Sequence, residues 1–153
     1  MRMLSTATVL VWLGIMAFFA GVVAPAAFST LDREAAGRFV SAVFPRYYAV
    51  GAALEALALA GLGLRFVLGP RRPWDGLPLL LVAVMLATTL YAWLVVLPAA
   101  HAAREALRQS APAPGALSTE ALAFARLHRL SGLLNGTAML AGVLVLATVG
   151  LRR

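Results

Sequence analysis

VVAPAAFSTLDREAAGRFVSAVFPRYY, residues 22–48, is the stretch that decides the fold. It joins two strongly apolar runs, and parts of it occur a second time. Residues 22–28 (VVAPAAF) return as residues 95–101 (VVLPAAH), and residues 44–48 (FPRYY) return more weakly as residues 124–128 (FARLH). The second copy predicts an internal repeat in which each half of the chain supplies one pair of helices.

The composition favours a lipid environment. Of 153 residues, 62% are hydrophobic, which is more than the interior of a water-soluble domain can hold. The formal net charge is +7. All the basic residues are arginine, and they flank the apolar runs as they do in membrane proteins, so we expect the lipid bilayer as the partner and no nucleic acid. The absence of cysteine excludes disulfides and thiolate chemistry.

Four apolar runs are long enough to cross a bilayer, which takes about 20 residues of helix. We predict one transmembrane domain, residues 1–153, with spans at about 4–28, 47–68, 77–100 and 130–151. Amphipathic helices at about 32–44 and 118–129 are expected to lie in the interface. Pro45 should end the first of these and open the next span. Pro112 and Pro114 indicate a loop.

A cleaved signal peptide is the alternative for the first run. Arg2 provides a basic start, and Ala24 and Ala26 are small residues of the kind found at cleavage sites. The apolar run exceeds the roughly 7–15 residues of a signal core, and the same block closes the third run. We therefore expect the first helix to be retained.

These runs predict an all-α, integral membrane four-helix bundle built from two tandem helix pairs. Because the first and third helices run the same way, a pseudo-twofold axis should follow the membrane normal. Both termini then share a side with the basic turn at Arg71 and Arg72, and Arg152 and Arg153 add to the charge there. These arginines lie in short segments, which favours cytoplasmic termini in a bacterial inner membrane.

Polar residues inside the apolar spans are the candidates for a functional site. Glu55 lies seven residues after Tyr48, and the repeat aligns it with Asn135. Polar side chains are costly in lipid, so both should face the bundle interior. Thr88 and Tyr91 of the third span are expected to meet them. Glu55 is then either a proton or cation site with Asn135, or a carboxyl kept neutral by burial and hydrogen-bonded to its neighbours.

The two histidines are the second set of candidates. His101 ends the third span and His128 precedes the fourth, on the same side of the membrane. Two imidazoles suit haem, copper or zinc, with Tyr48 near the cofactor. The alternative is an ordinary interfacial role, hydrogen-bonded to Glu105 or to carbonyl groups.

Arginines and glycines give two weaker patterns. Arg46 and Arg126 match in the repeat and are either snorkelling anchors or an anion-binding pair at two helix starts. Gly14, Ala17 and Gly21 form a stripe of small residues, which predicts close packing of the first helix against a neighbour.

A resemblance to a known family rests on an N-terminal block and a shorter C-terminal pattern. The N-terminal block comprises Leu13-Gly14, Phe18-Phe19, Val23-Ala24-Pro25, Phe28-Ser29-Thr30-Leu31, Ala36-Gly37-Arg38, Phe44-Pro45 and Tyr47-Tyr48. The C-terminal pattern comprises Phe124, Leu127, His128 and Ser131. Together they resemble the transmembrane protein 205-like family, and more distantly the copper-resistance D-like proteins and the HemJ-type protoporphyrinogen oxidases. The resemblance implies an integral membrane protein. The HemJ-type proteins pair histidine with lysine around a haem, and this sequence has no lysine.

Three functions follow as hypotheses. The first is a membrane protein that binds haem or a metal ion at His101 and His128. The second is a small permease or exporter, acting as a homo-oligomer, with Glu55 and Asn135 on its path. The third is a structural or partner-binding membrane module. No nucleophile–base pair and no glycine-rich phosphate loop is found, so the sequence does not predict an enzyme.

Overall fold

The computed structural model describes residues 2–70, 74–109 and 118–150, and every regular element among them is helical. In chain order these are α1 (Arg2–Phe18), a π-helical turn (Phe19–Val23), α2 (Ala24–Thr30), α3 (Arg33–Leu68), α4 (Gly76–Tyr91), a second π-helical turn (Ala92–Val96), α5 (Leu97–Gln109) and α6 (Thr119–Gly150). The predicted all-α class is confirmed. The basic turn at Arg71 and Arg72, the loop with Pro112 and Pro114, and Arg152 and Arg153 lie outside the described residues.

Within the described residues, four continuous helices are long and apolar enough to cross a membrane. The first span is Met3–Thr30 (28 residues), the second Arg33–Leu68 (36), the third Gly76–Gln109 (34) and the fourth Thr119–Val149 (31). At about 1.5 Å per residue even the shortest reaches roughly 42 Å, beyond a hydrocarbon core of about 30 Å. The segments expected as separate interfacial helices are therefore the ends of the second and fourth spans.

The four spans pack side by side around a common core. The first span contacts the second and the fourth, and the third contacts the same two, so the bundle closes on itself. The interior is filled by large buried side chains, among them Trp12, Tyr48, Val82, Met85 and Val145. The exposed positions are apolar as well, with Leu80, Leu94, Leu133 and Leu140 among them. Such a surface fits a bundle whose outer solvent is lipid.

The two π-helical turns stand at matching positions of the sequence repeat. Each ends two residues before a proline, Pro25 in the first copy and Pro98 in the second. In these turns the backbone N–H of Ala24 bonds the carbonyl of Phe19, and that of Leu97 bonds the carbonyl of Ala92. Proline has no N–H, and in a regular helix its ring clashes with the carbonyl four residues earlier. The wider turn lets each helix continue past its proline, so the repeat extends to the backbone.

The expectation that Pro45 starts a new helix is wrong. The second span is one helix from Arg33 to Leu68 with Pro45 inside it. Residues on either side of the proline are fixed by packing, because the rings of Phe44 and Tyr47 both lie against Phe19 of the first span. This packing holds the helix together across the missing hydrogen bond.

Asp32 caps the start of the second span. The Asp32 carboxylate accepts hydrogen bonds from the backbone N–H groups of Glu34 and Ala35. The bond from Ala35 holds the pKa of Asp32 below its usual value.

The small-residue stripe on the first span does not mediate close packing. Gly14, Ala17 and Gly21 are exposed, and a Cβ added at either glycine would meet no atom within 4 Å. The close approach occurs instead at Gly51 of the second span, where the indole of Trp12 lies directly over the Cα. Small residues do recur at helical spacing on the first span, but tertiary packing decides which glycine contacts a neighbouring helix.

Gly51→Ala should therefore destabilise the bundle, and Gly14→Ala should not. The new methyl group at position 51 overlaps the Trp12 ring, and such overpacking costs about 1–3 kcal/mol. At position 14 the methyl group has free space, and the better helix propensity of alanine contributes up to about 1 kcal/mol. Thermal unfolding followed by circular dichroism in detergent micelles measures both. Equal Tm values for the two variants would contradict the packing of Trp12 on Gly51.

Candidate functional site

Glu55 is the one acidic side chain buried inside the bundle among the described residues. It is 1% exposed and lies on the second span. The hydroxyl of Thr89, itself buried on the third span, donates a hydrogen bond of 3.0 Å to Glu55 Oε1. Within the described ranges Glu55 Oε2 has no hydrogen-bond partner. The carboxyl group is thus held by Thr89 through one oxygen, and the indole N–H of Trp12 lies within interaction range of the group.

The surroundings of this carboxyl are apolar and contain no ion pair in the part of the chain that the structure describes. Trp12 of the first span lies next to it, and the Trp12 Nε1 is also buried without a hydrogen-bond partner there. Ala58 and Met85, one turn from Glu55 and from Thr89 respectively, are fully buried. A carboxylate here loses its hydration without gaining a cation, so uptake or loss of a proton changes the energy of the bundle strongly.

A second polar cluster connects the second and fourth spans across the interior. The hydroxyl of Tyr48 lies 3.2 Å from Ser131 Oγ and accepts a hydrogen bond of 3.3 Å from Asn135 Nδ2. The hydroxyl of Tyr47 donates to Asn135 Oδ1 at 3.4 Å. Asn135 also donates to the carbonyl of Ser131 in its own helix. Both tyrosines are buried, so this network satisfies polar groups that lipid could not solvate.

The structure separates Asn135 from the hydrogen bond that Glu55 makes. Asn135 pairs with the two tyrosines, whereas Glu55 pairs with Thr89. Glu55 lies seven residues beyond Tyr48, which is about 10 Å along a helix. The long tyrosine side chains reach Asn135 across the bundle, and the shorter glutamate is held by the nearer third span.

The partners expected from the third span are also displaced. The hydroxyl of Thr88 donates to carbonyls of its own helix, at Val84 and Met85, and Tyr91 is 47% exposed. Thr89 was missed by the sequence reasoning. The available signal was its spacing, because Thr89 lies seven residues after Val82 and four after Met85, on the buried face.

An aromatic cluster packs beside the tyrosines at the level of the first π-helical turn. Phe19, the first residue of that turn, packs in a tilted orientation against two rings. Its ring centroid lies 5.5 Å from that of Phe44 and 5.1 Å from that of Tyr47. Trp12 lies 4.8 Å from Tyr47 by the same measure. These contacts orient the tyrosine hydroxyls towards the fourth span.

The two histidines occupy different surroundings. His101 is exposed and lines a pocket with Arg38, Arg104 and Arg108, and His128 does not line that pocket. His128 is also exposed, and its ring stacks on Phe124 of its own helix. Among the described residues no group of three or more His, Cys, Asp or Glu side chains is placed to hold a metal ion. The guanidinium groups that line the pocket with His101 would repel a cation there.

The arginine pair of the repeat remains at the surface. Arg46 donates to the carbonyl of Ala42 in its own helix, and Arg126 is exposed. The anion-binding role considered for these two residues gains no support from these contacts.

Comparison with known proteins gives one match. A family model described as Domain of unknown function (DUF4149) matches residues 7–109, which is more than half of the chain and includes most of the first span and all of the second and third. Neither the comparison with curated proteins nor that with solved structures gave a match.

Thr89→Val should destabilise the bundle more than Thr88→Val. Both changes replace a hydroxyl by a methyl group, but only the first removes the single hydrogen bond to a buried carboxyl. A buried polar group left without its partner costs about 1–3 kcal/mol, whereas loss of a hydroxyl bonded to its own helix costs about 0.5 kcal/mol or less. Chemical unfolding in mixed micelles measures the difference. A greater loss in Thr88→Val would show that the two threonines are assigned the wrong way round.

Proposed function

This chain belongs to the family described as Domain of unknown function (DUF4149), and we propose that it is a small membrane permease that moves protons, in which Glu55 binds and releases the proton. The proposal concerns an integral membrane protein, as its four apolar spans indicate.

The observation that carries the proposal is the burial of Glu55 inside the bundle, with no ion pair to it among the described residues. A charged carboxylate that is buried is normally paired with a cation or a metal ion. Here Oε1 accepts from Thr89, and Oε2 has no partner in the described part of the chain. Ionisable groups inside membrane spans commonly mark ion or proton pathways, since their cost is tolerated where they serve a function.

A polar cluster on one side of Glu55 supports the same proposal. The cluster of Tyr47, Tyr48, Ser131 and Asn135 lies about two helical turns away, towards the surface at which the second span begins. Its hydroxyl groups can accept and donate protons, as relay groups must. The π-helical turns lie near this level, and such turns often mark functional sites in helices.

The finer assignments from the sequence remain predictions. They are the transmembrane protein 205-like resemblance with its more distant copper-resistance D-like and HemJ-type relatives, the homo-oligomer, and the bacterial inner membrane with cytoplasmic termini. Haem or copper at His101 and His128 also stays a prediction and is not part of this proposal.

Glu55→Gln should abolish proton movement, since the amide keeps the size and the hydrogen bond from Thr89 but cannot release a proton. The protein is reconstituted in liposomes that contain a pH-sensitive dye, and the internal pH is followed after an external acid pulse. We expect proton entry to exceed that of protein-free liposomes for the native chain and to fall to their level for Glu55→Gln. Glu105→Gln, which removes an exposed carboxyl, is the matched control and should behave as the native chain does.

Two results would contradict the proposal. One is proton entry through Glu55→Gln at the native rate. The other is native protein that conducts no faster than the protein-free liposomes, provided that circular dichroism shows it to be folded. Infrared difference spectra of the native chain and Glu55→Gln give an independent readout, because a proton on Glu55 adds a carboxylic-acid band that the variant lacks.

A further inference from the structure

A basic pocket of about 230 Å³ lies far from Glu55, between the first turns of the second span and the last turns of the third. Its lining comprises Arg38 and Ser41 from the second span, and His101, Arg104, Glu105 and Arg108 from the third. None of these residues takes part in the proposed proton site.

The charge of the pocket is positive. Three guanidinium groups line it and one carboxylate, that of Glu105, faces them. A second carboxylate, that of Glu34, accepts from Arg38 at 2.7 Å and from Arg108 at 2.9 Å. Three guanidinium groups and two carboxylates give a net charge of +1, which attracts a further anion.

The central guanidinium is held in place by the protein itself. Arg104 Nη1 donates to the Gly37 carbonyl at 2.6 Å and to Ser41 Oγ at 2.9 Å, and Nη2 donates to the Glu34 carbonyl at 3.4 Å. Gly37 is required for this geometry, because a Cβ there would overlap the guanidinium group. A site whose cations are already ordered loses less side-chain entropy when a ligand binds.

The position of the pocket indicates the depth of its ligand. The second and third spans have 36 and 34 residues, or about 54 and 51 Å of helix against a hydrocarbon core of about 30 Å. Their excess length places the ends that form the pocket near the headgroup layer. Phosphate groups are concentrated at that depth.

We propose that the pocket formed by Arg38, Arg104 and Arg108 binds a phosphate group, presented either by a phospholipid headgroup or by a soluble phosphate. The planar guanidinium fork matches two phosphate oxygens at once, which a point charge does not. Ser41 and His101 add hydrogen-bonding groups to the rim.

The test is calorimetric titration of the purified full-length protein in a non-ionic detergent. The probes are dihexanoyl phosphatidylglycerol, dihexanoyl phosphatidylcholine and inorganic phosphate. If phosphatidylglycerol binds more tightly than phosphatidylcholine, and inorganic phosphate binds weakly or not at all, the source of the phosphate is a lipid headgroup. Equal or tighter binding of inorganic phosphate identifies a soluble phosphate. No binding of either anionic probe overturns the proposal.

Variants separate the pocket from general surface charge. Arg38→Gln and Arg108→Gln should each weaken binding of the anionic probe by about five- to tenfold. Arg129→Gln removes the same charge from an exposed position on the fourth span and should leave binding unchanged. Glu34→Gln should tighten binding, because it releases Arg38 and Arg108 from their carboxylate. An equal loss in Arg129→Gln, or weaker binding in Glu34→Gln, would overturn the assignment to this pocket.

Discussion

The cost of a polar group in lipid is the constraint on which the rest of the structure depends. Apart from its ends, the bundle presents an apolar surface, so its few polar side chains must find partners inside. Glu55 meets Thr89, and Tyr48 meets Asn135 and Ser131. These pairs link spans that hydrophobic contact alone would not orient, because lipid tails compete equally well for apolar side chains.

The features predicted correctly are those that the bilayer itself imposes. A long apolar run in hydrocarbon must be helical, because each backbone N–H and C=O needs a partner within the chain. The four spans and the all-α class therefore followed from composition and run length. The inward position of Glu55, which is 1% exposed, followed from the same rule. The repeat at residues 22–28 and 95–101 did not predict the paired π-helical turns, since sequence similarity does not reveal how a proline is accommodated.

The features predicted incorrectly depend on rotation and register between helices. Thr88 and Thr89 are adjacent in sequence and chemically identical, yet only Thr89 faces Glu55, because packing of the third span fixes its rotation. Asn135 was expected opposite Glu55, but it bonds Tyr48, which lies about 10 Å from Glu55 along the second span. Pro45 was expected to break a helix, and aromatic packing on both sides prevents the break. The arginine pocket was missed because Arg38 and Arg104 are far apart in sequence.

The position of the Glu55 carboxyl relative to lipid tests the account most directly. The protein is labelled at its glutamate carboxyl carbons, reconstituted in nanodiscs and measured by NMR, which gives few signals. The signal of Glu55 is identified as the one that is missing from the spectrum of Glu55→Gln. Lipids that carry a paramagnetic label on the acyl chain broaden the signals of groups that they touch. The account predicts that the Glu55 signal stays sharp while methyl signals of Leu57, which is 46% exposed, broaden. Broadening of the Glu55 signal to the same degree as those of Leu57 would contradict it.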